Sequence, residues 1–319
     1  MSSHGAGQAM SREDWAILLL LSVIWGGSFF FIELALTSVQ PLTVVLIRVA
    51  LAAAMLWGLL WWRGERLPMP PGAALAYLVL ALLNNVVPFI LFVSAQEQIT
   101  SGLASILNAT TPIWGVLVAN ALTADETATP NKVIGVLLGF AGVAVLIGPD
   151  FLGQLGQGLL AQLACLAATL CYALAGVWAR RFPRMGIAPK AVATGQLTAA
   201  AIVMLPLVLI FEPPWHAAAP TPGAWLALAG LAFFCTSFAY ILYFRLLASA
   251  GATNSLLVTF LIPVTAILLG ALFLGERLAP RSFLGMALIA AGLAAIDGRL
   301  FRRARSRTPL TKDRAAPPT

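Results

Sequence analysis

Long apolar runs, broken by short gaps that carry proline, glycine or charge, set the pattern of this chain. A membrane-crossing helix needs about 20 apolar residues. The runs predict ten such helices, at roughly 15–36, 41–61, 72–94, 101–121, 131–148, 157–179, 190–211, 223–247, 253–274 and 281–297. Pro41, Pro130, Pro189 and Pro280 open four of them, where a missing N–H costs nothing. The first run exceeds the ~7–15 residues of a signal-peptide core, so it reads as a retained span. Residues 299–319 are basic, contain proline and lack an apolar period, which predicts a disordered tail.

The pattern repeats. Segment 100–148 (TSGLASILNATTPIWGVLVANALTADETATPNKVIGVLLGFAGVAVLIG) aligns with 251–298 (GATNSLLVTFLIPVTAILLGALFLGERLAPRSFLGMALIAAGLAAIDG). Pro112 matches Pro263. After removal of one residue, Glu126 matches Glu276, Pro130 matches Pro280, Gly135 matches Gly285 and Gly142 matches Gly292. Upstream, Pro41 with Arg48 matches Pro189 with Gln196, and Phe89 with Phe92 matches Tyr240 with Tyr243. Helices 1–5 therefore correspond to helices 6–10. Five is odd, so the second copy enters the membrane from the opposite side, giving inverted repeats of the kind that build secondary transporters. The expected organisation is a tail at 1–14, a first five-helix repeat at 15–148, a second at 149–298 and a tail at 299–319.

Composition points the same way. The chain has 319 residues, 60% of them hydrophobic and 10% charged, against about 25% charged in a soluble globular protein. The net charge of +7 lies in turns and tails, which argues against nucleic acid as a partner. With the N-terminus inside, Arg277 and Arg281 fall in outer loops and Arg48 within a span, while every other lysine and arginine is inner. That asymmetry predicts an N-in, C-in orientation. Cys165, Cys171 and Cys235 all lie in apolar segments and read as small hydrophobes rather than a disulfide or metal framework.

Taken together, the helix-1 motif Trp25-Gly26-Gly27-Ser28-Phe29, Arg48 in helix 2, the segments around Pro112 and Pro263, and the turn Gly275-Glu276-Arg277-Leu278 resemble the EamA family of the drug/metabolite transporter superfamily. The resemblance spans about 15–297. The first repeat departs from the turn motif, with Ala124-Asp125-Glu126-Thr127 lacking the arginine. The resemblance implies ten helices and transport of small metabolites, often efflux of amino acids or toxic compounds. It also implies a cavity among helices 1, 3, 4, 6, 8 and 9, with Trp25 and Tyr172 contributing from helices 1 and 6.

Several residues could serve such a cavity. Pro112 and Pro263 each remove a backbone donor and free the carbonyl four residues earlier, on Asn108 and Thr259. Freed backbone must face protein or water within a bilayer, so these breaks either border a site or are packing kinks. Ser101, Ser105, Asn108 and Pro112 share one helical face, as do Asn85, Phe89, Phe92 and Gln96; Thr236, Tyr240 and Tyr243 repeat it in helix 8. Such faces suit an amphipathic small molecule or, equally, interhelical bonds worth about 0.6 kcal/mol each.

Arg48 is the basic residue deep in a span, where insertion costs about 2.5–3.5 kcal/mol. It is a structural ion pair with Glu33, a gating element, or a snorkelling side chain. Glu33 is also the candidate proton carrier, against the plainer reading of a solvated interfacial carboxylate. The acidic turns after helices 4 and 9 either lock the half-bundles or cap them. The basic residues after helix 10 fit anionic lipid.

The leading function is a secondary carrier for a neutral or zwitterionic, amino-acid-like metabolite, expected to export it across a bacterial inner membrane, as a monomer or homodimer. A channel or a sensor or scaffold is the alternative. A membrane enzyme is disfavoured: the histidines, His4 and His216, lie in a tail and an outer loop, and no Gly-rich loop ending Gly-Lys-Ser/Thr occurs. No cofactor or metal is expected.

Overall fold

The computed structural model describes residues 10–123, 129–147, 158–216, 219–273 and 280–297. The acidic turns around Glu126 and Glu276, residues 1–9 of the N-terminal tail and the C-terminal tail lie outside these residues, while residues 12–14, expected in the tail, open the first helix because Ser11 caps it. Every regular element among them is helical. They comprise α1 (Arg12–Leu36), α2 (Pro41–Trp62), α3 (Ala73–Ala95), α4 in two pieces (Ser101–Asn108 and Thr111–Leu122), α5 (Pro130–Ile147), α6 (Leu159–Ala179), α7 (Pro189–Phe211), α8 (Pro222–Ala250), α9 in two pieces (Ala252–Leu256 and Val258–Phe273) and α10 (Pro280–Asp297). A single turn of helix, Arg181–Arg184, follows α6. Among the described residues, 7 helices are long and apolar enough to cross a membrane, and shorter apolar helices cover Pro130–Val145, Ala252–Thr265 and Phe283–Ile296.

The boundaries follow local chemistry. Ser11 and Asp14 form a reciprocal capping box at the start of α1. Thr100 and Thr221 cap α4 and α8 through their hydroxyls. Proline sits in the first turn of α2, α7 and α8, where its fixed φ is already helical.

The helices pack as antiparallel pairs. Arg245 pairs with Glu13 at one end of α1 and α8, and the Ser38 and Thr221 hydroxyls lie 3.4 Å apart at the other. Lys190 pairs with Glu65 where α7 starts and α2 has ended. At their other ends Glu212 accepts from the backbone N–H groups of Leu42 and Thr43 at 2.9 and 2.7 Å, capping α2 from a different helix. The Trp178 indole of α6 donates to the Ala76 carbonyl at the start of α3. α5 and α10 cross so closely that a Cβ on Gly292 would lie 2.5 Å from the Gly135 carbonyl and 2.7 Å from the Gly139 nitrogen. Close approach of small residues is how helices associate where lipid removes the hydrophobic drive.

Two departures from straight helix matter most. α3 and α8 each contain a π-helical stretch, Leu82–Val86 and Phe233–Phe238, at matching places in the sequence repeat. In α8 the Thr236 and Ser237 hydroxyls donate to the carbonyls of Leu231 and Ala232, five residues back, at 2.7 and 2.9 Å. The proline breaks differ from each other. α4 is interrupted at Ala109–Thr110, just before Pro112. α9 is interrupted at Leu257, while Pro263 lies inside the continuous helix Val258–Phe273. The sequence expectation of equivalent breaks at the two prolines therefore holds only for the first. In the second, the chain relieves its backbone six residues earlier.

Gly292→Ala should lower the thermal unfolding midpoint of purified protein by an amount corresponding to about 1–3 kcal/mol, the usual cost of overpacking. Gly58→Ala, within α2 and with nothing within 4 Å of its added Cβ, should hold or slightly raise it, by an amount corresponding to up to about 1 kcal/mol.

Candidate functional site

A cavity lies between α1, α2, α3, α4, α6, α8 and α9. Its volume is about 90 Å³, where a single water needs about 10–15 Å³. The space therefore accommodates several waters or one small organic molecule.

Aromatic rings form most of the wall. Trp25 meets Tyr243 at 5.5 Å and Tyr240 at 6.3 Å between ring centroids. Its indole N–H donates to the Cys235 carbonyl at 3.0 Å, within the π stretch of α8. Phe29 stands edge-on to Phe92, which stacks on Tyr172 at 6.1 Å. Polar atoms enter at a few points. The Tyr240 hydroxyl donates to the Asn84 carbonyl at 3.1 Å and accepts from the Asn85 amide at 3.0 Å. The Asn84 amide donates in turn to Gln196 at 3.2 Å. At the α4 break, the Thr111 hydroxyl donates to the Asn108 carbonyl at 2.6 Å. A threonine thus satisfies the carbonyl that Pro112 leaves free.

Arg48 is 5% exposed and carries the only charge among the described lining residues. Its Nε–H donates to the Thr236 hydroxyl at 2.8 Å, and its guanidinium carbon lies 3.9 Å from the centre of the Phe89 ring. The ion pair with Glu33 is not what the structure shows. Glu33 is exposed on α1 and no carboxylate contacts Arg48 among the described residues. Thr236 and Phe89 hold the cation instead.

Trp25, Arg48, Phe89, Asn108, Tyr172, Tyr240, Tyr243 and Thr259 all line the cavity. Asn85 sits one layer behind it, fully buried, positioning Tyr240. Ser105 is buried in the first piece of α4 and does not reach the cavity; Pro112, Pro263 and Glu33 do not line it either. Sequence reasoning missed Asn84, Thr111, Leu256, Val258 and Ile262. Asn84 adjoins the face of Asn85, Phe89 and Phe92 and lies, with Asn85, in the π stretch, where a 3.6-residue period no longer holds.

The model of the EamA-like transporter family matches residues 14–148 and again 159–296. The chain belongs to that family. The uncharacterized transporter YoaV of Bacillus subtilis is 24% identical over 278 residues, covering 86% of this chain and 94% of that one. The uncharacterized inner membrane transporter YedA of Escherichia coli K12 is 26% identical over 276 residues, covering 85% and 86%. Protein PecM of Dickeya dadantii is 26% identical over 306 residues, covering 94% and 97%. A crystal structure with 21% identity superimposes with a TM-score of 0.73 over 92% of this chain and the whole of its own, a likeness of fold. Family and apolar helices together make the chain a multi-pass membrane protein of transporter type.

Tyr240→Phe should destabilise the protein by about 1 kcal/mol, since the Asn85 amide loses its acceptor. A double variant with Asn85→Leu should cost less than the sum of the single changes in thermal unfolding. Strict additivity would show that the pair is not coupled.

Proposed function

We propose that this chain is a secondary carrier of small neutral or zwitterionic metabolites, amino-acid-like in size, and that it exports them by alternating access. The observation that carries this reading is the cavity, whose wall is drawn from both halves of the sequence repeat: α1, α2, α3 and α4 from the first, α6, α8 and α9 from the second. Aromatic surface with few neutral hydrogen-bonding groups suits an amphipathic solute that must be released as readily as it is bound.

The helix contacts support the finer architecture of ten spans in two inverted repeats. Exchanging each helix with its counterpart five places on turns the pair α1 with α8 into α6 with α3, and leaves α2 with α7 and α5 with α10 unchanged; all these pairs are in contact. Gly135 approaches Gly292 and Gly142 approaches Gly285, a crossing expected of a two-fold axis between the repeats. The two family matches fall on the proposed repeats at 15–148 and 149–298. Loop charge supports N-in, C-in insertion, and the naming of one relative supports a bacterial inner membrane. Rocking of the halves would open the cavity to each side in turn, with the α4 and α9 breaks as the yielding points. Glu33 is the carboxylate proposed to couple the cycle to protons. The transporter names of the relatives agree with a non-enzymatic role. The basic tail is proposed to rest on anionic lipid.

Metabolite profiling of medium from cells producing the protein tests this. The wild type should enrich a small neutral or zwitterionic solute outside the cells. An Asn108→Ala/Tyr240→Ala variant at equal membrane level should reduce that enrichment about tenfold or more, the scale of one lost bidentate or stacked contact. Equal enrichment by both would discard this cavity as the route, and saturable counterflow in proteoliposomes separates a carrier from a channel.

A further inference from the structure

Arg48 is a buried cation that the protein leaves half-satisfied. A guanidinium carries five N–H donors and stays protonated inside proteins. Nε–H is used by Thr236 and one face of the group by Phe89, both of them neutral partners. The two terminal nitrogens have no protein acceptor among the described residues, and they are not sealed among the buried atoms that lack partners. Since Arg48 lines the cavity, its fork of terminal N–H groups faces the space a substrate would fill. Charge at this depth is expensive unless something answers it. The lining residues described here include no carboxylate.

We infer that Arg48 is the anchor for a single carboxylate on the transported molecule, clamped through its two terminal nitrogens, with the aromatic wall of Trp25, Tyr240 and Tyr243 holding the apolar remainder. This rests on the carrier reading above and narrows it: the substrate must bear a carboxylate. Thr236 and Phe89 fix the plane of the guanidinium before the substrate arrives, so less ordering is needed on binding. Bidentate pairing with a planar oxyanion is the geometry for which arginine, rather than lysine, is suited. The second repeat adds no matching cation. Its counterpart position holds Gln196, which is wholly buried, accepts from Asn84 and lies outside the lining. One fork on one side of the cavity fits the single carboxylate of a zwitterion, and not a dicarboxylate or phosphate ester.

The test uses the full chain purified in detergent, with matched acid and amide probes: isovalerate against isovaleramide, and L-leucine against L-leucinamide. Thermal unfolding at increasing ligand gives an affinity for each. The acid of each pair should bind about tenfold more tightly or better, and inorganic phosphate should bind less well than either acid. Arg48→Gln should bring the acid-to-amide ratio close to one. Thr236→Val keeps the charge but releases the plane of the fork, and should lower the ratio without abolishing it. That variant and the wild-type comparison carry the test if Arg48→Gln does not fold. Amides that bind as well as acids, an acid preference that survives Arg48→Gln, a preference for phosphate, or no binding by any acid would each overturn the anchor. Counterflow in proteoliposomes keeps the two readings apart: exchange confined to solutes without a carboxylate removes the anchor and leaves the carrier standing.

Discussion

Hydrocarbon offers no hydrogen-bond partner, and this one constraint organises the molecule. Each backbone group within a bilayer must be satisfied by its own helix, by a neighbouring side chain or by an enclosed cavity. The breaks in α4 and α9 and the π stretch of α8 each carry such a remedy close by. At the α4 break Thr111 covers the Asn108 carbonyl. At the α9 break Thr259 covers that of Leu256. Along the π stretch of α8, Thr236, Ser237 and the Trp25 indole cover the carbonyls of Leu231, Ala232 and Cys235. These repaired irregularities border the cavity. The site exists because that is where the helices can depart from regularity without exposing bare backbone to lipid.

The large features were legible from sequence because they rest on composition and spacing. Twenty-residue apolar runs leave little choice but helix, and Pro41, Pro189 and Pro222 mark where helices begin. The cavity aromatics were legible too: Phe89 and Phe92 in α3 and Tyr240 and Tyr243 in α8 recur at the same repeat offset. What escaped was local. A 3.6-residue period assigns Asn85 to the inner face, whereas along the π stretch both asparagines are buried and it is Asn84 that lines the cavity, with Asn85 behind it. Proline was a good marker at Pro112 and a poor one at Pro263. There the helix continues through the proline and yields at Leu257. The partner of Arg48 was sought among carboxylates near in sequence, but Thr236 lies 188 residues away and is neutral.

The repeat is symmetric in its scaffold and asymmetric in its chemistry. α2 and α7 pair with each other, and Arg48 and Gln196 occupy equivalent places on them. Gln196 is spent inside the protein, bonded to Asn84, whereas Arg48 is presented to the cavity. In the proposed alternating-access cycle, a symmetric frame would let two half-bundles exchange roles, and a one-sided charge would give the solute a single preferred orientation throughout.

The π stretches of α3 and α8 have a consequence for register. Each lodges one more residue in a turn than an α-helix would, and the helix beyond it is set accordingly. Were Leu82–Val86 to wind as regular α-helix at unchanged length, everything after it would be rotated by about 100°. Phe89 and Phe92 would swing away from Arg48 and Tyr172, though neither had been altered. Deleting one residue from the stretch would instead close the bulge and leave both rings in place. The chemistry of this cavity is thus held in the winding of the helix as much as in the identity of its residues.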